Sequence, residues 1–122
     1  MPARVVHFEI LADNPQAAVD FYKKVFGWDV MVPQGMEQYW LATTGPNGTP
    51  GINGGIMGNH FPQKTINTIE VESLEKTLEQ VIAAGGKKVH GPNQIPGVGT
   101  HTYCTDPGGN MFGILEPPQH PH

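Results

Sequence analysis

The feature that most constrains the fold of this chain is an order of elements that occurs twice. Residues 4–11 alternate between apolar and polar side chains as a strand does, and a helical pattern begins at Pro15 and ends at Gly27. Residues 65–71 and the helical pattern that ends at Gly85 repeat this order at an offset of 58 or 59 residues. The repeat predicts two modules of the same construction.

Three further strands are predicted after each helix, separated by turns that take up most of the 16 Gly and 12 Pro residues. These strands are residues 28–32, 37–44 and 51–57 in module one, and 87–91, 98–104 and 110–116 in module two. One module alone would expose an apolar sheet face, so we expect the two to pack together. The predicted fold is α+β, with two tandem βαβββ modules forming curved, partly closed mixed sheets around a cleft.

The boundaries predicted for this arrangement give a single domain over residues 1–122. It comprises module one at residues 1–57, a linker at 58–64, module two at 65–116 and a tail at 117–122.

Composition and charge exclude several classes of protein. The 122 residues are 38% hydrophobic with a net charge of -4, and no basic patch of the kind that nucleic-acid binding needs is present. No apolar run reaches transmembrane length, and the first residues lack the apolar core of a signal peptide. Cys104 is the single cysteine, which fits a reducing compartment. We therefore expect a cytoplasmic protein without nucleic-acid or membrane partners, and a homodimer paired through a sheet edge or the glycine-rich strand.

Five stretches of the sequence carry a family resemblance. They are VVHFEI, AVDFYKKVFGW, GINGGIM, LEKTLEQVIAAGGKKV and DPGGNMFGILE, and together they cover nearly the whole chain in order. With them the chain resembles the vicinal oxygen chelate superfamily, which includes glyoxalase I, extradiol dioxygenases, and bleomycin- and fosfomycin-resistance proteins. The resemblance implies a fold that holds a small molecule in a cleft.

In metal-dependent members of that superfamily, four slots on the first, fourth, fifth and eighth strands bind a divalent cation. The resemblance places these slots on His7, Asn53, Thr65 or Ile66, and Gly113. His7 alone is a strong ligand, whereas a catalytic metal site keeps about three protein ligands. We therefore expect no cofactor and a lost metal site, and a divalent metal held by a rebuilt site is the alternative.

Polar side chains at alternating strand positions are candidates for the lining of the cleft. The predicted ligand-binding residues are His7, Glu9, Asn53, Thr68, His101 and Tyr103. The best catalytic candidates are His7, as a proton acceptor near neutral pH, and Glu70, as a base if it is buried. The opposing interpretations are a structural histidine and a solvent-facing glutamate.

Other reactive or aromatic residues are interpreted as structural. Cys104 has no partner base and is predicted to be a small core residue. Phe21, Tyr22 and Phe26 are predicted to lie in the core beneath the first helix, and His90 on the surface.

Three functions remain open from the sequence. The first is a protein of the glyoxalase or bleomycin-resistance type that binds a small, partly apolar metabolite or toxin without metal. The second is a lyase, isomerase or dioxygenase-like enzyme, which would use a metal site rebuilt from His7 with His60 or His101, or metal-free acid–base work by His7 and Glu70. The third is a regulatory or structural module whose cleft is vestigial.

Overall fold

The computed structural model describes residues 3–32 and 38–118, which contain eight strands and two helices. The strands are β1 Arg4–Ala12, β2 Asp29–Met31, β3 Tyr39–Thr43, β4 Gly54–Gly58, β5 Thr65–Glu70, β6 Lys87–Ile95, β7 Gly99–Thr105 and β8 Met111–Glu116; the helices are α1 Pro15–Phe26 and α2 Leu74–Ala83. The predicted α+β class and order of elements are confirmed. The turn predicted at residues 33–35 lies outside the described residues.

Backbone contacts divide the described chain into two compact units. The first unit is residues 7–66, and the second is residues 67–118 together with residues 3–6. Neither described helix is long and apolar enough to cross a membrane. The predicted single domain and its linker are not tested by these observations and stay predictions.

Both helices begin at the polar residues that the sequence indicates. Asn14 Oδ1 accepts a hydrogen bond from the Ala17 backbone N–H at 3.2 Å, and Ser73 Oγ accepts one from the Lys76 N–H at 3.2 Å. Each side chain thus satisfies one of the amide donors that a helix start leaves open. Gly27 ends α1 with φ 71, a left-handed conformation that favours glycine.

In the first unit the strand order is β2-β3-β4-β1, with β1 parallel to β4 and the other pairs antiparallel. The Tyr22 ring of α1 stacks on Trp28 at 4.8 Å, and Trp28 lies 5.6 Å from Phe8 on β1. Phe8 is therefore on the side of the sheet that α1 covers. Because strand side chains alternate, His7 and Glu9 lie on the opposite, helix-free face.

In the second unit the strand order is β5-β8-β7-β6, with β5 parallel to β8 and the other pairs antiparallel. Under α2 lies an apolar cluster: Val71, Leu74, Cys104 and Ile114, with Ile69, Leu78, Val81 and Phe112 packed against it. The prediction that Cys104 is a core residue is confirmed. Tyr103, Gly113 and Thr68 are the chain neighbours of these core residues and so lie on the helix-free face of the second unit.

The last hairpin turn, predicted at residues 106–109, is held by one carboxylate. Asp106 Oδ1 accepts hydrogen bonds from the backbone N–H groups of Gly108 and Asn110, both at 2.9 Å. Hydrogen bonds from Asn110 and from the turn backbone lower the pKa of Asp106. The DPGGN stretch therefore serves to shape a turn.

Strand β6 is longer than predicted, ending at Ile95 rather than at residue 91. Its pairing with β7 shifts register between Lys88 and His90 and again between His90 and Asn93. Such irregularities let a strand pass a proline, here Pro92, which has no N–H to donate. A turn signal at Gly91–Pro92 therefore marks an irregular strand and not its end.

The prediction that Phe21 and Phe26 are core residues is wrong. Phe21 is 54% exposed and Phe26 is 60% exposed, and Val25 between them is 55% exposed. The rings of Phe21 and Phe26 contact each other at 6.3 Å on the outer side of α1. Tyr22 is half-buried because it faces Trp28. The apolar pattern of α1 is thus wider than the side of the helix that the sheet covers.

Candidate functional site

A histidine and a tyrosine meet on the helix-free face of the first unit. His7 Nε2 on β1 and Tyr39 Oη on β3 are 2.8 Å apart, within hydrogen-bond distance. Strand β4 lies between these two strands, and the tyrosine ring crosses it over Gly55. A Cβ atom at Gly55 would overlap the Tyr39 ring and hydroxyl. The contact therefore depends on a glycine at this position of β4.

Burial decides the charge of His7. Desolvation lowers the pKa of His7 below its usual value, and the negative charge of Glu9 acts in the opposite direction as the smaller effect. Glu9 is only 4% exposed and lies two residues further along the same face of β1. At neutral pH the imidazole is therefore neutral, with one nitrogen that accepts a hydrogen bond and one that donates.

A second pair of polar side chains lies on the helix-free face of the second unit. Thr68 Oγ1 on β5 and His101 Nε2 on β7 are 3.2 Å apart, and both residues are buried. The His101 ring also meets Tyr103 edge to face, with ring centres 4.5 Å apart. A Cβ atom at Gly113 on β8 would overlap His101 Nε2 and lie 2.6 Å from Thr68 Oγ1. The space beside Gly113 is therefore filled by these two side chains.

The two units thus contain the same local arrangement. In each, a ring from the unit's third strand crosses a glycine on the fourth strand and hydrogen-bonds to a side chain on the first strand. Gly55 and Gly113 are 58 residues apart, the same offset that relates Gly27 to Gly85. The sequence analysis did not identify this role of Tyr39 and Gly55, although the offset alone aligns the two glycines.

The remaining predicted residues lie apart from these two pairs. Asn53 is exposed, and its Oδ1 accepts a hydrogen bond from the Thr44 N–H at 2.9 Å, which joins the two ends of the loop between β3 and β4. Glu70 is exposed at the end of β5. Burial raises the pKa of the Cys104 thiol, which keeps it protonated at neutral pH.

The four family metal slots can be compared with these surroundings. Nε2 of His7 is bonded to Tyr39, Thr65 is exposed, Ile66 is fully buried, and the side-chain space of Gly113 is occupied by His101. Within residues 3–32 and 38–118, no three or more His, Cys, Asp or Glu side chains are grouped so as to hold a metal ion. The residues present do not fit the four-ligand set of the metal-dependent members.

Comparison with known proteins shows which proteins share this arrangement of strands. The chain is 29% identical over 111 residues to the "Putative glyoxylase CFP32" of Mycobacterium bovis, a match that covers 89% of the chain and 42% of that protein. The chain therefore spans less than half the length of this relative.

Two solved structures have a similar fold. Methylmalonyl-CoA epimerase from Mycobacterium tuberculosis superposes with a TM-score of 0.67 at 13% identity, over 94% of this chain and 88% of that one. A glyoxalase/bleomycin resistance protein/dioxygenase superfamily member from Vibrio splendidus 12B01 superposes with a TM-score of 0.63 at 19% identity, over 96% and 100%. At these identities the likeness concerns the fold alone.

A sequence profile gives the family itself. Residues 4–114, which is nearly the whole chain, match the Glyoxalase/Bleomycin resistance protein/Dioxygenase superfamily. This stretch includes both units and every helix and strand described above except the last two residues of β8. The chain belongs to the Glyoxalase/Bleomycin resistance protein/Dioxygenase superfamily.

Proposed function

We propose that this protein binds a small, partly apolar molecule and does so without the family's metal ion. The observation that carries the proposal is the filled space at Gly113, where the family pattern has a ligating carboxylate. His101 and Thr68 occupy that space and are bonded to each other, so a carboxylate there would have to displace a buried pair. What remains for recognition is side-chain chemistry.

The helix-free face of the first unit supports a ligand of mixed polarity. His7, Tyr39 and Glu9 supply polar groups with fixed partners or deep burial. Leu11 and Met57 pair across β1 and β4 on the same face and are 3% and 4% exposed. Sites for small molecules combine a mainly apolar lining with a few placed polar groups, which is the composition found here.

Metal-free acid–base catalysis is a second candidate, and one observation favours it. His7 is held neutral by burial and is hydrogen-bonded to a phenol, so it can take up a proton near neutral pH. Glu70, the other predicted base, is exposed and has no resolved reason to act as one. Under this proposal His7 carries the chemistry with Tyr39 as its hydrogen-bond partner.

The test pairs a metal titration with a ligand screen on metal-depleted protein. We expect no stoichiometric binding of manganese, iron, zinc or nickel by calorimetry. In a thermal-shift screen of small carboxylic acids, phenols and thioethers, we expect hits that stabilise the wild type but not His7→Gln. A ligand at one hundred times its Kd adds about 2.7 kcal/mol, which corresponds to a rise in Tm of roughly 10 °C for a chain of this size.

The matched control is His90→Gln, which changes an exposed histidine on β6. It should keep every hit of the wild type. Stoichiometric metal that is lost in His7→Ala would overturn the proposal and revive the family's metal chemistry. Turnover of a hit by the wild type but not by His7→Gln would favour the enzyme.

Location in the cytoplasm and assembly as a homodimer complete the proposal. Both were expected from the sequence, and a buried single cysteine agrees with a reducing compartment. Light scattering on the purified chain measures the mass directly, and a monomer at micromolar concentration would refute the dimer.

A further inference from the structure

We infer that Tyr39 is a positioning residue for His7: it donates its phenolic hydrogen to Nε2 and so holds the imidazole in one orientation and one tautomer, with the proton on Nδ1. This inference rests on the proposed function for its purpose, since a fixed histidine matters only where something is recognised. Its physical content can be tested without any ligand.

The geometry shows that the contact is built into the sheet. Tyr39 and His7 belong to strands separated by β4, so the phenol reaches the imidazole only by lying flat across Gly55. Any side chain at Gly55 would push the ring off this path. The distance of 2.8 Å is that of a well-formed hydrogen bond. A tyrosine and a glycine on neighbouring strands are thus both required for one contact.

The second unit supports the inference because it repeats the construction with other residues. His101 lies across Gly113 and reaches Thr68 on the first strand of its own unit. A crossing ring that occurs at the same offset in both units is a feature of the module and not a chance contact. In each case the ring's polar atom is matched to a polar group on the strand beyond the glycine.

The chemistry of the two groups decides the direction of the hydrogen bond. A phenol has a pKa of about 10 and keeps its hydrogen at neutral pH, while a neutral imidazole has one bare nitrogen. With Tyr39 as donor, Nε2 of His7 is the acceptor and Nδ1 carries the hydrogen. A ligand that reaches His7 on its other nitrogen meets an N–H donor. Its matching group is an acceptor oxygen, such as a carbonyl or carboxylate.

The experiment is long-range proton–nitrogen NMR of the imidazoles in ligand-free, nitrogen-15-labelled protein. We expect the wild-type His7 to show one tautomer, with Nδ1 protonated and Nε2 bare. In Tyr39→Phe the single-tautomer spectrum should be lost. Tyr22→Phe removes the same hydroxyl group from the ring stacked on Trp28, on the opposite side of the sheet, and should leave the His7 signals unchanged.

Gly55→Ala is the second variant, since it keeps the phenol but displaces the ring. It should lose the single tautomer as Tyr39→Phe does, and if it does not fold, Tyr39→Phe decides alone. An unchanged His7 spectrum in Tyr39→Phe, or a wild-type His7 protonated on Nε2, would overturn the inference. A failed ligand screen with the tautomer result intact would instead refute the proposed function and leave this inference standing.

Discussion

Replacing Gly113 by alanine tests the central observation on which the metal-free proposal depends. The added Cβ would overlap His101 Nε2 and come within 2.6 Å of Thr68 Oγ1, closer than real Cβ atoms approach such groups. Both neighbours are buried, with Thr68 1% and His101 8% exposed. The ring must therefore move, and the hydrogen bond of 3.2 Å between them breaks.

Three contributions give the size of the effect on the free energy of unfolding. A buried polar atom left without its partner costs about 1–3 kcal/mol, and overpacking a tight site costs about 1–3 kcal/mol. Gly113 does not have a left-handed φ, so alanine gains about 0.4–1 kcal/mol by restricting the unfolded chain. The net expectation for Gly113→Ala is a loss of about 3 kcal/mol, from the middle of these ranges.

Urea unfolding followed by circular dichroism measures this loss, and Gly58→Ala is the matched control. Gly58 ends β4, and its Cβ would lie 3.9 Å from the His60 ring, an ordinary contact. That control should be neutral or slightly more stable than the wild type. In a double-mutant cycle, His101→Ala should remove most of the penalty at Gly113, a coupling above about 1 kcal/mol. Equal stabilities for Gly113→Ala and Gly58→Ala would refute the claim that the slot is filled.

Three further predictions concern the rest of the chain. Phe26→Ser should lower the free energy of unfolding by less than about 1 kcal/mol because the ring is 60% exposed, whereas Ile56→Ala, at 0% exposed, should lower it by about 2–5 kcal/mol; urea unfolding compares the two. Ser73→Ala should cost about 1 kcal/mol in the same assay through loss of the cap on α2. Because burial lowers the pKa of His7, the unfolded chain takes up this proton first, so stability should fall as the pH drops below about 6.5, and His7→Gln should remove that part of the pH dependence in unfolding curves.

The elements themselves could be predicted because local rules decide them. Caps at Asn14 and Ser73, and a left-handed glycine at Gly27, depend on residues within one helical turn. Alternation placed His7 and Glu9 on one face because the period of a strand is two. These inferences need no knowledge of what lies on the neighbouring strand.

Tyr39 and the outer residues of α1 show where that reasoning stops. Periodicity identifies an apolar stripe but does not say how much of it another element covers, so Phe21 and Phe26 were assigned to a core that does not reach them. The contact between Tyr39 and His7 depends on the register of three strands from distant parts of the chain. Which side chains meet is then decided by pairing that no short window of sequence contains.

The comparisons and the site residues answer different questions about this chain. Similarity over residues 4–114 fixes the fold, but function depends on the groups placed on that fold. Of the family's metal slots, the first keeps His7, while the eighth holds Gly113 under the ring of His101. A carboxylate cannot return to that slot unless the ring leaves. Metal binding would therefore require Gly113→Glu combined with His101→Ala, whereas Gly113→Glu alone should unfold the second unit before it binds a cation.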